Sequence, residues 1–197
     1  MQTLGRIEPV MLVIAGFSKH RELLDAIEPR LIQAFGTVAV SGPTIEFRQT
    51  DYYAPTMGTD LLKRYWAFHS LHEPDQLAAI KRKTIEMERE IQQSGQFDIE
   101  RPLNLDPGFL TLGKFMLATT KDQAHRIYLH GGIFAEVTLR YHDRQFEPRP
   151  WTYADWQLPQ VLRFLQEARR YYCQHKSVSD EEKVMPPLLV RQPIANS

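Results

Sequence analysis

The chain has 197 residues, enough for one domain that buries roughly 70% of its unfolded surface without disulfides or a structural metal. Its 24 Lys and Arg balance 24 Asp and Glu, which argues against a globally basic nucleic-acid binder and against an acidic tail protein. A hydrophobic content of 43% disfavours wholesale disorder, and the single cysteine, Cys173, excludes an intramolecular disulfide and a Cys-based zinc site. Met1 to Pro9 shows no targeting pattern, and the longest apolar run, Val10 to Phe17, falls far short of the ~20 residues of a membrane helix. The expectation is a cytoplasmic chain with no membrane span.

In chain order, the apolar run 10–17 reads as a strand buried on both faces. Ser18 is a candidate cap for a helix over 19–35, where Leu23, Leu24, Ile27, Leu31 and Phe35 recur at helical spacing. Pro29 should kink or restart that helix, and Gly36 should end it. A second strand covers Val38 to Phe47. Residues 51–58, DYYAPTMG, read as a turn-rich loop. Alternation over 61–71 predicts a strand with Lys63 and Tyr65 facing away from Arg64 and Trp66. Pro74 opens a helix with Leu77, Ile80, Thr84, Met87 and Ile91 as its apolar stripe and Lys81, Arg82 and Lys83 on its solvated face. Ser94-Gly95 ends it. A further strand lies between Leu103 and Leu110, around an Asn-Leu-Asp-Pro-Gly turn. Thr111 caps a short helix over 112–119, although that segment also reads as a strand.

Residues 125–142 form a hairpin. A three-residue loop, His130-Gly131-Gly132, places Leu129 opposite Ile133, Ile127 opposite Ala135 and Arg126 opposite Glu136. The apolar set Ile127, Leu129, Ile133, Ala135, Val137 and Leu139 then shares one face. FEPRPW, residues 146–151, is an extended connection. A last helix runs from about Leu158 to Lys176, with Val161, Phe164, Leu165, Ala168 and Tyr172 as its stripe. The order predicts an α+β fold. Its core is a ferredoxin-like βαββαβ unit with a mostly antiparallel sheet, extended by the hairpin and the C-terminal helix. One domain spans 1–176, and 177–197 is a Pro-rich tail.

Familiar chemical motifs are missing. There is no Walker-type phosphate loop, no G-x-G-x-x-G after the first strand, no H-E-x-x-H and no G-x-S-x-G. His69 and His72 are three apart without a nearby third ligand. What remains is a set of polar residues in three stretches: Asp51-Tyr52-Tyr53 with Lys63-Arg64, then Asn104 to Gly108, then Lys114 through Glu136 and Trp151-Thr152-Tyr153. Hydroxyls beside Lys, His and Arg are what a phosphate or carboxylate ligand needs. Lys114, Thr120, Lys121, Arg126, Tyr53 and Lys63 are the candidate ligand-binding residues. Asp106, His125 and Glu136 are the candidate catalytic ones. Asp51, Asp106 and Glu136 could hold a hard cation such as Mg²⁺. Each stretch also has a plainer reading. Asp106-Pro107-Gly108 can be only a turn, Thr119 to Asp122 only a loop, Arg126–Glu136 only a cross-strand ion pair, and Trp151 and Tyr153 only core anchors.

The strings NLDPGFLTLGKFMLATTKDQAHRIYLHGGIFAEVTLRY and FEPRPWTYADW, with DYYAPTMG and LLKRYWAF before them, resemble the bacterial family known as domain of unknown function 4416, over roughly residues 8–175. The resemblance implies that Asp51, Tyr52, Tyr53, Gly58, Lys63, Asn104, Asp106, Lys114, Thr120, Lys121, His125, Arg126, Glu136 and Trp151 belong to the family pattern. It implies no activity. Some members carry a GTP-binding label, but Thr120-Lys121-Asp122 lacks the Asn-Lys-x-Asp spacing that reads guanine. The favoured expectation is a site for a phosphorylated or nucleotide ligand, with or without hydrolysis or transfer at phosphorus. The alternatives are a protein-interaction module and an RNA-binding module that stacks bases on Tyr65, Trp66, Phe68, Tyr128 and Phe134. RNA is the weaker partner at zero net charge, and a homo-oligomer is compatible with the sequence.

Overall fold

A computed structural model describes residues 7–47 and 53–176. Asp51, Tyr52 and the expected tail over 177–197 lie outside the described residues. The chain builds β1 (Val10–Ser18), α1 (Arg21–Phe35), β2 (Val38–Phe47), a short α2 (Ala54–Met57), β3 (Leu61–His72) and α3 (Leu77–Gln93). There follow β4 (Asn104–Leu110), β5 (Lys114–Thr119), β6 (Ile127–His130), β7 (Ile133–His142), β8 (Gln145–Pro148) and α4 (Pro159–His175). All pairings are antiparallel, in the order β2-β3-β1-β4-β5-β7-β6, with β8 also on β7. The β2-β3-β1-β4 part is compatible with the expected ferredoxin-like core.

Two apolar layers cover the two faces of this sheet. On one, Leu24, Ile27 and Leu31 of α1 and Leu77, Ile80 and Met87 of α3 pack on Leu12, Ile14, Trp66 and Phe68. On the other, Val161, Phe164, Leu165 and Ala168 of α4 pack on Met11, Val13, Ala15 and Tyr65. Strand β1 feeds both layers, which explains its unbroken apolar run. Tyr65, Trp66 and Phe68 are fully buried, so they do not form the open stacking surface that RNA binding would use. Among the described residues no helix is long and apolar enough to cross a membrane.

Several expectations are corrected. Ser18 does not cap α1: it ends β1, and its Oγ accepts the His20 N–H at 3.0 Å. Helix α1 runs unbroken through Pro29. Asp106-Pro107-Gly108 is not a turn but the middle of β4, and 114–119 is a strand, not a helix. Thr111 caps the turn between them, its Oγ1 accepting the Gly113 and Lys114 N–H groups at 3.3 and 3.2 Å. FEPRPW opens with three strand residues, Phe146 to Pro148, since β8 adds to the free edge of β7. The hairpin closes on two residues, Gly131 and Gly132, both at positive φ (59° and 78°), and the register shift between Tyr128 and His130 makes Leu129 the extra residue. Ile127 does face Ala135, but His130, not Leu129, faces Ile133.

The expected single apolar face of the hairpin is split. Met116 pairs with Val137 and Phe115 with Leu139, leaving Thr138 as a bulge. Ile133 therefore joins the α1/α3 layer and Leu139 the α4 layer, while Ile127 and Leu129 remain exposed on the outermost strand. Cys173 is exposed.

Candidate functional site

The site starts where β4 and β5 part. They pair only over Gly108↔Leu117, Phe109↔Met116 and Leu110↔Phe115. Before Gly108 the outer edge of β4 has no strand partner among the described residues, and α3 replaces it. Glu88 Oε1 accepts the Leu105 N–H at 2.8 Å, and Lys81 Nζ donates to the Leu105 carbonyl at 2.7 Å. By the two-residue alternation of a ladder, the next nitrogen facing this gap belongs to Pro107, which has no N–H to satisfy. The sequence Leu105-Asp106-Pro107 thus suits a strand edge left open.

The opening is a cavity of about 380 Å³, within the size range of small-molecule sites. Strand β3 supplies Lys63, β4 supplies Asn104 and Asp106, and β7 supplies Glu136. Thr119, Thr120 and Lys121 come from the end of β5 and the loop beyond it, Arg126 from the residue before β6, and Tyr153 and Asp155 from the segment before α4. Arg101, Lys81 and Tyr53 complete the polar wall. Five cationic side chains and three carboxylates line it, so the wall carries an excess of positive charge.

The charges are held in pairs. Lys63 Nζ lies 2.8 Å from Asp155 Oδ2, both side chains under 5% exposed, with the rings of Phe17 and Phe47 5.1 and 5.2 Å from the ammonium. Arg126 Nε donates to Glu136 Oε2 at 2.7 Å, Nη1 to the Lys121 carbonyl at 3.0 Å and Nη2 to Tyr153 Oη at 3.1 Å. Burial works against the Arg126 charge, but Glu136 and Tyr153 outweigh it and hold the guanidinium protonated. His125 Nε2 lies 3.1 Å from the same Glu136 Oε2, with its ring stacked on Trp151 at 4.8 Å. Trp151 Nε1 is itself fixed by the Val137 carbonyl at 3.0 Å.

Asp106 sits deep in the fold yet keeps 26% of its side chain open, with Lys81 Nζ 3.4 Å from Oδ1. Burial pushes its carboxyl up, but the Lys81 and Lys63 charges prevail and hold it below its ordinary value. Burial pushes Glu88 up, only partly offset by Lys81 and Arg101. Burial and the Asp106 charge push the Tyr53 hydroxyl up as well, so it stays a neutral donor.

A family model matches residues 8–172 and is described as a domain of unknown function, DUF4416. The chain belongs to the DUF4416 family. No curated protein and no solved structure matches it. Within this family member, the structure brings Asp106, Lys121, Arg126, Thr120, Glu136, Tyr53 and Lys63 to one cavity. It does not bring two other candidates. Lys114 is exposed at the far end of β5, paired with Arg140, and His125 stands behind Glu136 instead of in the wall. No group of three or more His, Cys, Asp or Glu side chains is placed to hold a metal among the described residues. His69 contacts the Tyr171 hydroxyl and His72 contacts Gln76.

Lys81, Arg101 and Asp155 were not among the expected site residues, and Asn104 was named only as part of its polar stretch and the family pattern. Lys81, expected on the solvated face of α3, is instead buried at 5% exposure; the signal was its place four residues after Leu77 and three before Thr84, on the buried stripe, with Glu88 seven residues later on the same face. Nothing local marks Asp155, whose partner Lys63 is 92 residues away.

Proposed function

We propose that the cavity binds a small phosphorylated ligand. What supports this reading is the wall itself, where five cations, three carboxylates and the Thr119 and Thr120 hydroxyls surround about 380 Å³. Arg126 is fixed in orientation by Glu136, the Lys121 carbonyl and Tyr153, which take three of its five N–H groups and leave one on each of Nη1 and Nη2 for a phosphate oxygen. Asp106 then faces the ligand as an acceptor, or as one carboxylate of a Mg²⁺ ion whose other ligands come from the phosphate and water. Binding is the better reading than hydrolysis. Asp106, held below its ordinary value, is a weak proton acceptor near neutrality, and Glu136 Oε2 is occupied by Arg126 and His125.

The test is thermal denaturation of the full chain with inorganic phosphate, pyrophosphate and AMP, each with and without Mg²⁺. A ligand at 100 times its Kd adds about 2.7 kcal/mol of stability. Arg126→Ala alone is a poor control: the Arg126 and Glu136 side chains are 2% and 1% exposed, and stranding the carboxylate costs about 3–5 kcal/mol. Arg126→Met combined with Glu136→Leu removes both charges, should keep the fold and should lose the ligand response. No response from any phosphate in the unmodified protein refutes the reading.

A further inference from the structure

We infer that the ligand is a phosphorylated sugar, free or as the ribose phosphate of a nucleotide, not a bare phosphate or pyrophosphate. This rests on the phosphate reading of the same cavity. Two polar atoms of its wall carry the inference. Glu136 Oε1 and Asn104 Nδ2 are buried and make no hydrogen bond among the described residues, the Asn104 amide acting only at longer range to help hold the Asp106 carboxyl down. Both residues line the cavity, 3% and 4% exposed.

Their surroundings make these unmet atoms specific. The other Glu136 oxygen takes both Arg126 and His125, so the carboxylate is anchored and cannot turn Oε1 toward them. The other end of the Asn104 amide, Oδ1, accepts from Arg101, which fixes Nδ2 as the free donor. The wall thus holds one unmet acceptor and one unmet donor, and a buried polar group of either kind is costly when left unmade. Phosphate oxygens at neutral pH accept well but offer Glu136 almost no proton, and their charge repels its carboxylate. A hydroxyl donates and accepts. A hydroxyl-bearing phosphate monoester therefore meets both atoms: one hydroxyl donates to Glu136 Oε1, and a second hydroxyl or the ring oxygen accepts from Asn104 Nδ2. The phosphate stays with the cations. A cavity of about 380 Å³ also exceeds what inorganic phosphate fills.

The experiment is calorimetric titration of the full chain with methyl phosphate, ribose 5-phosphate, 2-deoxyribose 5-phosphate and AMP. Ribose 5-phosphate should bind at least about tenfold tighter than methyl phosphate. AMP tighter than ribose 5-phosphate identifies the nucleotide as the source of the sugar phosphate, and the reverse identifies the free sugar. Glu136→Gln keeps an oxygen for Arg126 but turns the Oε1 position into a donor. It should cut the preference for ribose 5-phosphate over methyl phosphate about 10–100-fold, whichever way the lost charge moves the affinity for phosphate itself. Asn104→Ala provides a second variant with the same expected split. Equal affinity for methyl phosphate and ribose 5-phosphate, or equal loss of both in Glu136→Gln, overturns the inference and leaves the phosphate site standing. Failure of every phosphate to bind removes the phosphate reading and this inference with it.

Discussion

His72 closes β3 with 1% exposure, its ring stacked on Phe109 and its Nδ1 3.2 Å from Gln76 Oε1. Its Nε2 is buried without a partner among the described residues, so a proton there would be a buried donor with nothing to bond. Burial lowers its pKa from 6.5 to about 4, the Gln76 contact offsetting only part of the effect. The sign of the consequence follows from proton counts. Between pH 6.5 and about 4 the unfolded chain binds a proton that the native state refuses, so native stability falls as pH falls through that window. The loss totals about 3 kcal/mol and is absent above the window. His72→Phe, which keeps the ring beside Phe109, should flatten the urea-unfolding free energy over that window relative to the unmodified protein. Parallel pH slopes for the two proteins would show that His72 does not carry the effect.

Helix α3 acts as a surrogate strand for β4, and its side chains can be tested one bond at a time. Glu88→Ala leaves the Leu105 N–H facing the gap without its carboxylate. A hydrogen bond to a charged group is worth about 1.5–3 kcal/mol, so amide exchange at Leu105 should accelerate about 10–100-fold while the amides of β1 keep their protection. Uniform acceleration across β1 and β4 would mean that Glu88 holds the whole fold and not this one edge. The same feature explains what the sequence concealed. The stripes of α1, α3 and α4 are periodic and local, and they were legible. Asp106-Pro107-Gly108 has turn chemistry in isolation, yet its backbone is extended because α3 and β1 satisfy its neighbours, which is a tertiary effect. In the hairpin, Gly131 and Gly132 at positive φ make the two-residue turn whose twist suits paired strands. Leu129 absorbs the mismatch as a bulge that no alternation pattern announces. The candidate site was legible where charge and hydroxyls cluster, at Thr120, Lys121, Arg126 and Glu136. It was misread where a lysine on a charged helix turns inward, as Lys81 does, because its charged neighbours outweighed its spacing from Leu77 and Thr84.

At the scale of the molecule, the sheet consists of β2-β3-β1-β4 joined to β5, β7, β6 and β8 through three residue pairs between β4 and β5. The cavity is the wedge beyond the last of those pairs, so the seam sets the shape of the site as well as the continuity of the sheet. Gly108 stands at the apex. A Cβ there would lie 2.3 Å from the Met116 carbonyl oxygen and 2.8 Å from two ring carbons of Phe115. The first of these is backbone, and the second belongs to a ring packed in the α4 layer, so neither gives way cheaply. Nothing about the Gly108 φ demands glycine; the demand is space. Gly108→Ala must therefore push β5 away from β4. The expected cost is about 3 kcal/mol, the upper end for overpacking, or roughly 6–12 °C in Tm for a chain of this size. Gly113, in the turn joining the same two strands, would have nothing within 4 Å of an added Cβ, and Gly113→Ala should change Tm by no more than about 2 °C. Calorimetric melting of the two variants side by side separates steric prying at the seam from a general intolerance of alanine between β4 and β5. Equal melting temperatures would mean that β4 and β5 are not wedged at Gly108 and that the seam does not set the cavity.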